Sequence, residues 1–172
     1  MGIRSGRLRR TALCALGALT CTMAACSAPG GGETAETARG EAPAGSTHPV
    51  SGLELVPVTV ETGEGTHRFT AEVARSAQEQ ARGLMFRTEL GPDEAMIFPR
   101  DGDIASFWMK NTPLPLDIIF IGQDRRILNV AAQTTPYSLD SVSASGPTSA
   151  VLEIPGGRAQ ELGIEAGDRV EW

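Results

Sequence analysis

Past residue 26 the chain has no cysteine; Cys14, Cys21 and Cys26 are the three it contains. Disulfides, thiolate metal sites and cysteine nucleophiles are therefore excluded from any domain that the later residues form. Histidine is nearly as scarce, with only His48 and His67, so a histidine-based zinc site lacks ligands. No activated serine is recognisable, and Pro155-Gly156-Gly157 is too short a glycine run for a phosphate-binding loop. Positive charge is in deficit as well. Four of the 15 basic residues (Arg4, Arg7, Arg9 and Arg10) lie in the first 25, which leaves 11 against 21 acidic residues, a net charge of −10. Such a surface is a poor match to nucleic acid or to anionic lipid headgroups. Lysine is the rarest charged type: Lys110 is the only one, in a chain where arginine is common.

What is present begins with those four arginines. They precede residues 11–25, a short apolar run too rich in small residues to read as a spanning helix, and the pair reads as an export signal. Met23-Ala24-Ala25-Cys26 closes the run with small residues directly before a cysteine and resembles the lipobox of bacterial lipoproteins. The expectation is a signal peptide over residues 1–25 and an acyl anchor, palmitate among its chains, on Cys26. Several acyl chains hold stably where one would not. Ordinary cleavage to a free secreted protein is the alternative. Residues 27–50 are Ser, Ala, Pro, Gly, Glu and Thr with little to bury, and read as a disordered tether in which His48 is solvated. The product is then an exported lipoprotein, on the outer face of the cytoplasmic membrane or in the periplasm. The membrane is its first partner.

From Ser51 to Trp172 the chain is long enough for one modest core. Alternating apolar positions predict strands over 53–60, 68–73, 95–98, 116–120, 127–131, 150–154 and 169–172. Turns fall at Gly63-Glu64-Gly65, Asp101-Gly102-Asp103 and Gly122-Gln123-Asp124-Arg125. Ser76 and Glu79 form a capping box for a short helix that Gly83 stops, and a second short helix runs over 158–162. Residues 133–149 carry no periodicity and read as a long surface loop. Many short strands with two brief helices predict a mainly β domain, a compact antiparallel sandwich or barrel.

One stretch concentrates the chemistry. Read as a strand from Ala105, it puts Ser106, Trp108 and Lys110 on one face and Ala105, Phe107 and Met109 on the other. Asn111 and Thr112 suit a turn, and Pro113 and Pro115 remove two backbone donors. The strand after them opposes Asp117 and Ile119 to Leu116, Ile118 and Phe120.

Arg82-Gly83-Leu84-Met85-Phe86-Arg87, then Met96-Ile97-Phe98, then the run from Phe107 to Asp117, then Val151 to Gly157, then Gly163 to Asp168 occur in that order. Together they resemble the domain-of-unknown-function family 192, across the whole folded unit. Ala95 stands where that family usually has glycine, and Pro155-Gly156 replaces a more polar pair; neither touches the central stretch. The resemblance implies a jelly-roll-like β domain of exported or envelope-associated bacterial proteins, and no activity.

Lys110, Asp117 and Glu153 are charged residues inside otherwise apolar strands, and a buried charge needs a partner. A structural reading pairs Lys110 with Asp117 or Glu153, while Arg82 and Arg87 cap nearby carbonyls. A functional reading makes Arg82, Trp108, Lys110, Asn111, Asp117 and Glu153 a polar pocket for a small anionic or carbohydrate ligand, or a face for an envelope protein. A hydrolase or lyase built on Lys110 with Asp117 and Glu153 is an alternative, and Cu(I) held by Met85, Met96 and Met109 is another. No cofactor, resident metal or catalytic residue is assigned. The binding module on the Trp108/Lys110 face is the working expectation.

The anchor is open to direct measurement. Labelled fatty acid is expected to enter the wild-type protein, to be absent from Cys26→Ala, and to accompany partitioning into detergent. A wild-type protein that takes up no label and stays wholly soluble excludes the anchor.

Overall fold

The computed structural model describes residues 45–172. The basic segment, the apolar run, Cys26 and the tether up to residue 44 lie outside the described residues. Apolar alternation produces strands β1 (Leu55–Glu61), β2 (Thr66–Val73), β3 (Glu94–Pro99), β4 (Ser106–Phe107) and β5 (Leu116–Gly122). They are followed by β6 (Ile127–Ala131), β7 (Val142–Ser143), β8 (Thr148–Pro155) and β9 (Arg169–Glu171), with helices α1 (Ala77–Arg82) and α2 (Arg158–Glu161).

Seven strands form one sheet in the order β6-β5-β8-β3-β2-β1-β9, and β4 pairs only with β7. Every pairing is antiparallel except β2 with β3. That exception follows from the connection: the chain leaves β2, runs through α1 and a loop, and re-enters alongside, a crossover that a tight hairpin cannot make. The sheet curls until its ends meet. Arg126 bridges Arg169, Ile127 N donates to Asp168 O at 2.9 Å, and Val170 N donates to Arg125 O at 2.8 Å. The Arg125 guanidinium lies 3.5 Å over the Trp172 ring and seals this seam. Near-closure leaves little free strand edge.

Both faces of the sheet are buried, which is why β5 reads as an almost unbroken apolar run. Ile119, Ile121, Ala150, Leu152 and Ile154 point into the barrel with Val58, Val60, Phe69 and Val170. Leu116, Ile118, Phe120, Met96, Phe98 and Val151 point outward, under a layer that includes Leu84, Ala105 and Met109. Each such Ile, Leu or Phe stabilises by roughly 1.5–3 kcal/mol.

The capping box is formed: Ser76 Oγ accepts from Glu79 N at 3.2 Å and Glu79 Oε2 accepts from Ser76 N at 2.7 Å. Gly83 ends α1 at φ 47°. The expected strand from Ala105 to Lys110 is shorter, because only Ser106 and Phe107 pair, and they do so outside the main sheet. Its parity holds nonetheless, with Ala105 and Met109 buried and Ser106, Trp108 and Lys110 exposed. The predicted surface loop contains β7, which pairs with β4. His48 differs from its expectation. Thr47 bridges Glu54, and His48 is largely covered, with Nε2 3.8 Å from the buried Glu72 carboxylate. Glu72 also accepts from Arg87 Nη2 at 2.5 and 2.6 Å and from Ser51 Oγ. Arg87 therefore pairs with a carboxylate instead of capping carbonyls.

Asp117 is fully buried at one end of the barrel and has no lysine partner. Its Oδ1 accepts from Gln133 N at 2.7 Å and Gly157 N at 2.9 Å, and its Oδ2 from Ala159 N at 2.7 Å. Three amides thus ligate one carboxylate and fix the start of α2. Glycine is required beside it: a Cβ on Gly156 would stand 2.9 Å from the Pro115 backbone, and Gly157 has φ 89°. Asp117→Asn puts an NH2 group against a backbone N–H, and is expected to lower stability by roughly 2–4 kcal/mol in denaturant titration. A loss under about 0.5 kcal/mol would show that these amides are satisfied without the charge.

Candidate functional site

The outer face of the sheet is apolar around Glu153. Cross-strand register sets this residue between Met96 of β3 and Ile118 of β5, both members of the outer hydrophobic layer. Glu153 is 5% exposed and, among the described residues, has no ion-pair or hydrogen-bond partner in its side chain. Desolvation alone pushes its carboxyl up from 4.5 to about 8, so it is mostly protonated at neutral pH.

The carboxyl does not end in packed hydrocarbon. It lines a cavity of about 260 Å³ that opens beside α1. Phe98 and Phe107 form an aromatic wall, edge to face at 5.0 Å, and Phe107 meets Phe120 in the same way at 6.2 Å. Gly83, at φ 47°, turns the chain out of α1 beside the Phe98 ring. Ser106, Thr112 and Gln80 contribute polar groups to the lining, and Trp108, 47% exposed, stands at the opening.

Two arginines, Arg82 and Arg100, are among the residues that line the same space. Arg100 donates to Gln80 Oε1 at 3.0 Å and to Asp103 Oδ1 at 3.1 Å, and this pairing holds the Asp103 carboxyl below its usual range. Arg82, in the last turn of α1, has no carboxylate within ion-pair distance among the described residues. A cavity of this size suits a small molecule, below the range usual for drug-sized ligands.

Of the residues expected to form the pocket, Arg82, Trp108 and Glu153 meet there. Lys110 does not line it. Its Nζ lies 5.0 Å from the centre of the Trp108 ring, on the solvent side, and neither expected ion pair, to Asp117 or to Glu153, is made. Asn111 sits in the turn with φ 55°, its carbonyl accepting from Phe86 N and its Nδ2 3.8 Å from Met85 Sδ. Asp117 is on the other face: it is paired with Ile154, which points into the barrel, whereas Glu153 is paired with Ile118, which points out. The two carboxylates cannot face each other across a cleft, so the acid/base arrangement with Lys110 is overturned by strand parity. Met96 and Met109 are core residues, with Thr134 Oγ1 donating to Met109 Sδ at 3.1 Å, and Met85 lines the cavity. Among the described residues no group of three or more His, Cys, Asp or Glu side chains could hold a metal ion.

Arg100, Phe98, Phe107, Thr112 and Gln80 escape sequence reasoning. They come from separate segments, and nothing in their local patterns links them. Only the alternation of β8, which opposes Glu153 to Leu152 and Ile154, hints at an isolated acid on an apolar face.

A nearly closed β barrel with one enclosed acid beneath a lateral cavity is the class that this geometry defines. The profile of DUF192, described as "Uncharacterized ACR", matches residues 58–172, and the chain belongs to that family. A protein of unknown function from Novosphingobium aromaticivorans DSM 12444 has a similar crystal structure, with TM-score 0.75 and 59% identity, over 77% of this chain and 95% of that one. A second crystal structure, of a protein from Sinorhizobium meliloti 1021 named as a candidate transcription regulator, gives TM-score 0.67 and 35% identity, over 69% of this chain and 94% of that one. Comparison with curated proteins gives no match.

Denaturant titrations distinguish Glu153 from Lys110. The unfolded chain releases the Glu153 proton near pH 4.5 and the folded one near 8, so between these values the folded state holds the extra proton and stability falls as pH rises. Glu153→Gln is therefore expected to be more stable than wild type at pH 7, on the order of 2–4 kcal/mol, with the difference gone at pH ~4. Equal pH profiles for the two proteins would place an ionised Glu153 in the fold. Lys110→Met is expected to cost about 1 kcal/mol or less, as for an exposed charge; a loss of several would show a partner for the amine.

Proposed function

We propose that the domain is the ligand-binding part of a lipid-anchored envelope protein, and that a small molecule occupies the cavity over Glu153. The observation that carries this reading is a solitary buried carboxyl, opening into a cavity instead of being paired. Structural carboxylates of the same domain are saturated: Asp117 by three amides, Glu72 by Arg87 and Ser51. Glu153 gains nothing comparable from the fold, and keeping it costs stability at neutral pH. A group held at that cost fits a binding role.

Binding fits better than catalysis. Neither a second carboxylate nor a histidine lines the cavity to complete an acid/base pair. A regulator of transcription, the name carried by the relative from Sinorhizobium meliloti, is less consistent with this chain's excess of acidic residues. The Cys26 anchor and residues 27–44 would hold the domain near the membrane, with up to about 60 Å of reach if fully extended.

Ligand-observed magnetic resonance on the full chain in detergent, with a mixed fragment set, tests the reading. Fragments are expected to bind wild type and to weaken at least tenfold in Ser106→Trp, which places an indole in the cavity from an exposed position. The reading fails if no fragment binds, or if Ser106→Trp, folded by circular dichroism, binds them equally.

A further inference from the structure

Resting on the reading of this cavity as a ligand site, we propose that the molecule it takes is a small organic carboxylate. The Arg82 guanidinium would hold it at the opening and the Glu153 carboxyl within, and the complex would keep the proton that Glu153 carries.

The charges around the cavity point to an anion. Its lining residues include two arginines, Arg82 and Arg100, against one acid, Glu153, which burial keeps mostly neutral at pH 7. From β3 and β5 the side chains flanking Glu153 are Met96 and Ile118, both apolar. From α1 come Gln80 and Arg82, and from the 106–112 segment Ser106, Phe107, Trp108 and Thr112. Asp103 compensates Arg100 alone. Arg82 has no carboxylate partner among the described residues, and Lys110, over Trp108, adds another cation on the solvent side. A positive cavity in a domain with a large excess of acidic residues is a local inversion of sign, and it draws small anions.

Geometry narrows the class further. Arg82, Arg100 and Glu153 border the same cavity, and no ion pair joins either arginine to the acid. A ligand seated there would answer both kinds of group. A protonated carboxyl donates one hydrogen bond, and an anionic oxygen is its strongest acceptor. Guanidinium matches the planar carboxylate fork. The Phe98 and Phe107 wall and the volume of about 260 Å³ favour a compact, partly apolar body over a bare inorganic ion.

Proton and ligand are then linked. Ionised Glu153 would stand as a second negative charge beside the ligand, so the anion binds the protonated protein and raises the affinity of Glu153 for its proton in return.

Matched sets of small acids, their primary amides and their amines, together with neutral monosaccharides, are screened against the full chain in detergent by magnetic resonance and calorimetry. Acids are expected to bind at least tenfold more tightly than their amides. Their affinity is expected to fall about tenfold from pH 7 to pH 9 in wild type and to stay level in Glu153→Gln. Arg82→Gln, on an exposed residue, is expected to weaken acids and spare amides. Near pH 8, heats in buffers of different ionisation enthalpy are expected to report proton uptake with the acid. Tighter binding by amides, amines or sugars, or the same pH profile in Glu153→Gln, overturns the carboxylate and leaves the ligand site standing. A cavity that takes none of the set overturns the ligand site itself.

Discussion

The antiparallel pairing of β5 with β8 buries one row of side chains inside the barrel and the other beneath α1 and the 105–112 segment. Each residue from Leu116 to Gly122 must therefore suit a dry environment on one side or the other. Neighbouring strands β3 and β6 attach to this pair, and the barrel closes only because β9 reaches round to meet the start of β6. A one-residue slip of β8 would turn Glu153 into the barrel interior and Ile154 outward, and the same slip of β5 would turn Asp117 outward.

Within that constraint the domain treats its buried carboxyls in three ways. Asp117 is ligated by backbone amides and organises the start of α2. Glu72 is neutralised by Arg87 and joined by Ser51 and His48, tying residues 46–53 to the barrel. Glu153 has neither solution and keeps its proton instead. An isolated charge in such surroundings is far costlier than a neutral acid, and retaining the proton is the available response. That difference separates the structural acids from the one we associate with a ligand.

Lys110 illustrates how rarity can mislead. As the single lysine in the chain it invites a role in a buried pair, yet it lies in solvent beside Trp108. Its near neighbour Trp108 carries more of the site, for it borders the cavity that Glu153 also lines. The functional stretch is thus an outer cover of the sheet, held over it by Met109 and Ala105, and its tryptophan serves the opening of a space built by other segments.

By itself the sequence determined the elements of the main sheet and both helices, though not the short β4–β7 pair, since apolar alternation, the Ser76–Glu79 capping box and the glycine turns are local effects of chain geometry and of burial on one face. The same alternation determined that Asp117 faces opposite to Ile118, and that Glu153 faces opposite to Ile154. Membership of the family was also legible, because its motifs are runs of adjacent residues. Tertiary structure alone decided that the sheet closes, that β2 and β3 lie parallel, and that Arg82, Arg100, Phe107 and Glu153 border one cavity. These residues are far apart along the chain, and their meeting depends on which strands pair and in what register. Whether a buried acid is ligated, paired or protonated depends likewise on the amides and cations that distant segments bring to it. No local pattern around Asp117 or Glu153 encodes that, because the partners are supplied by the fold.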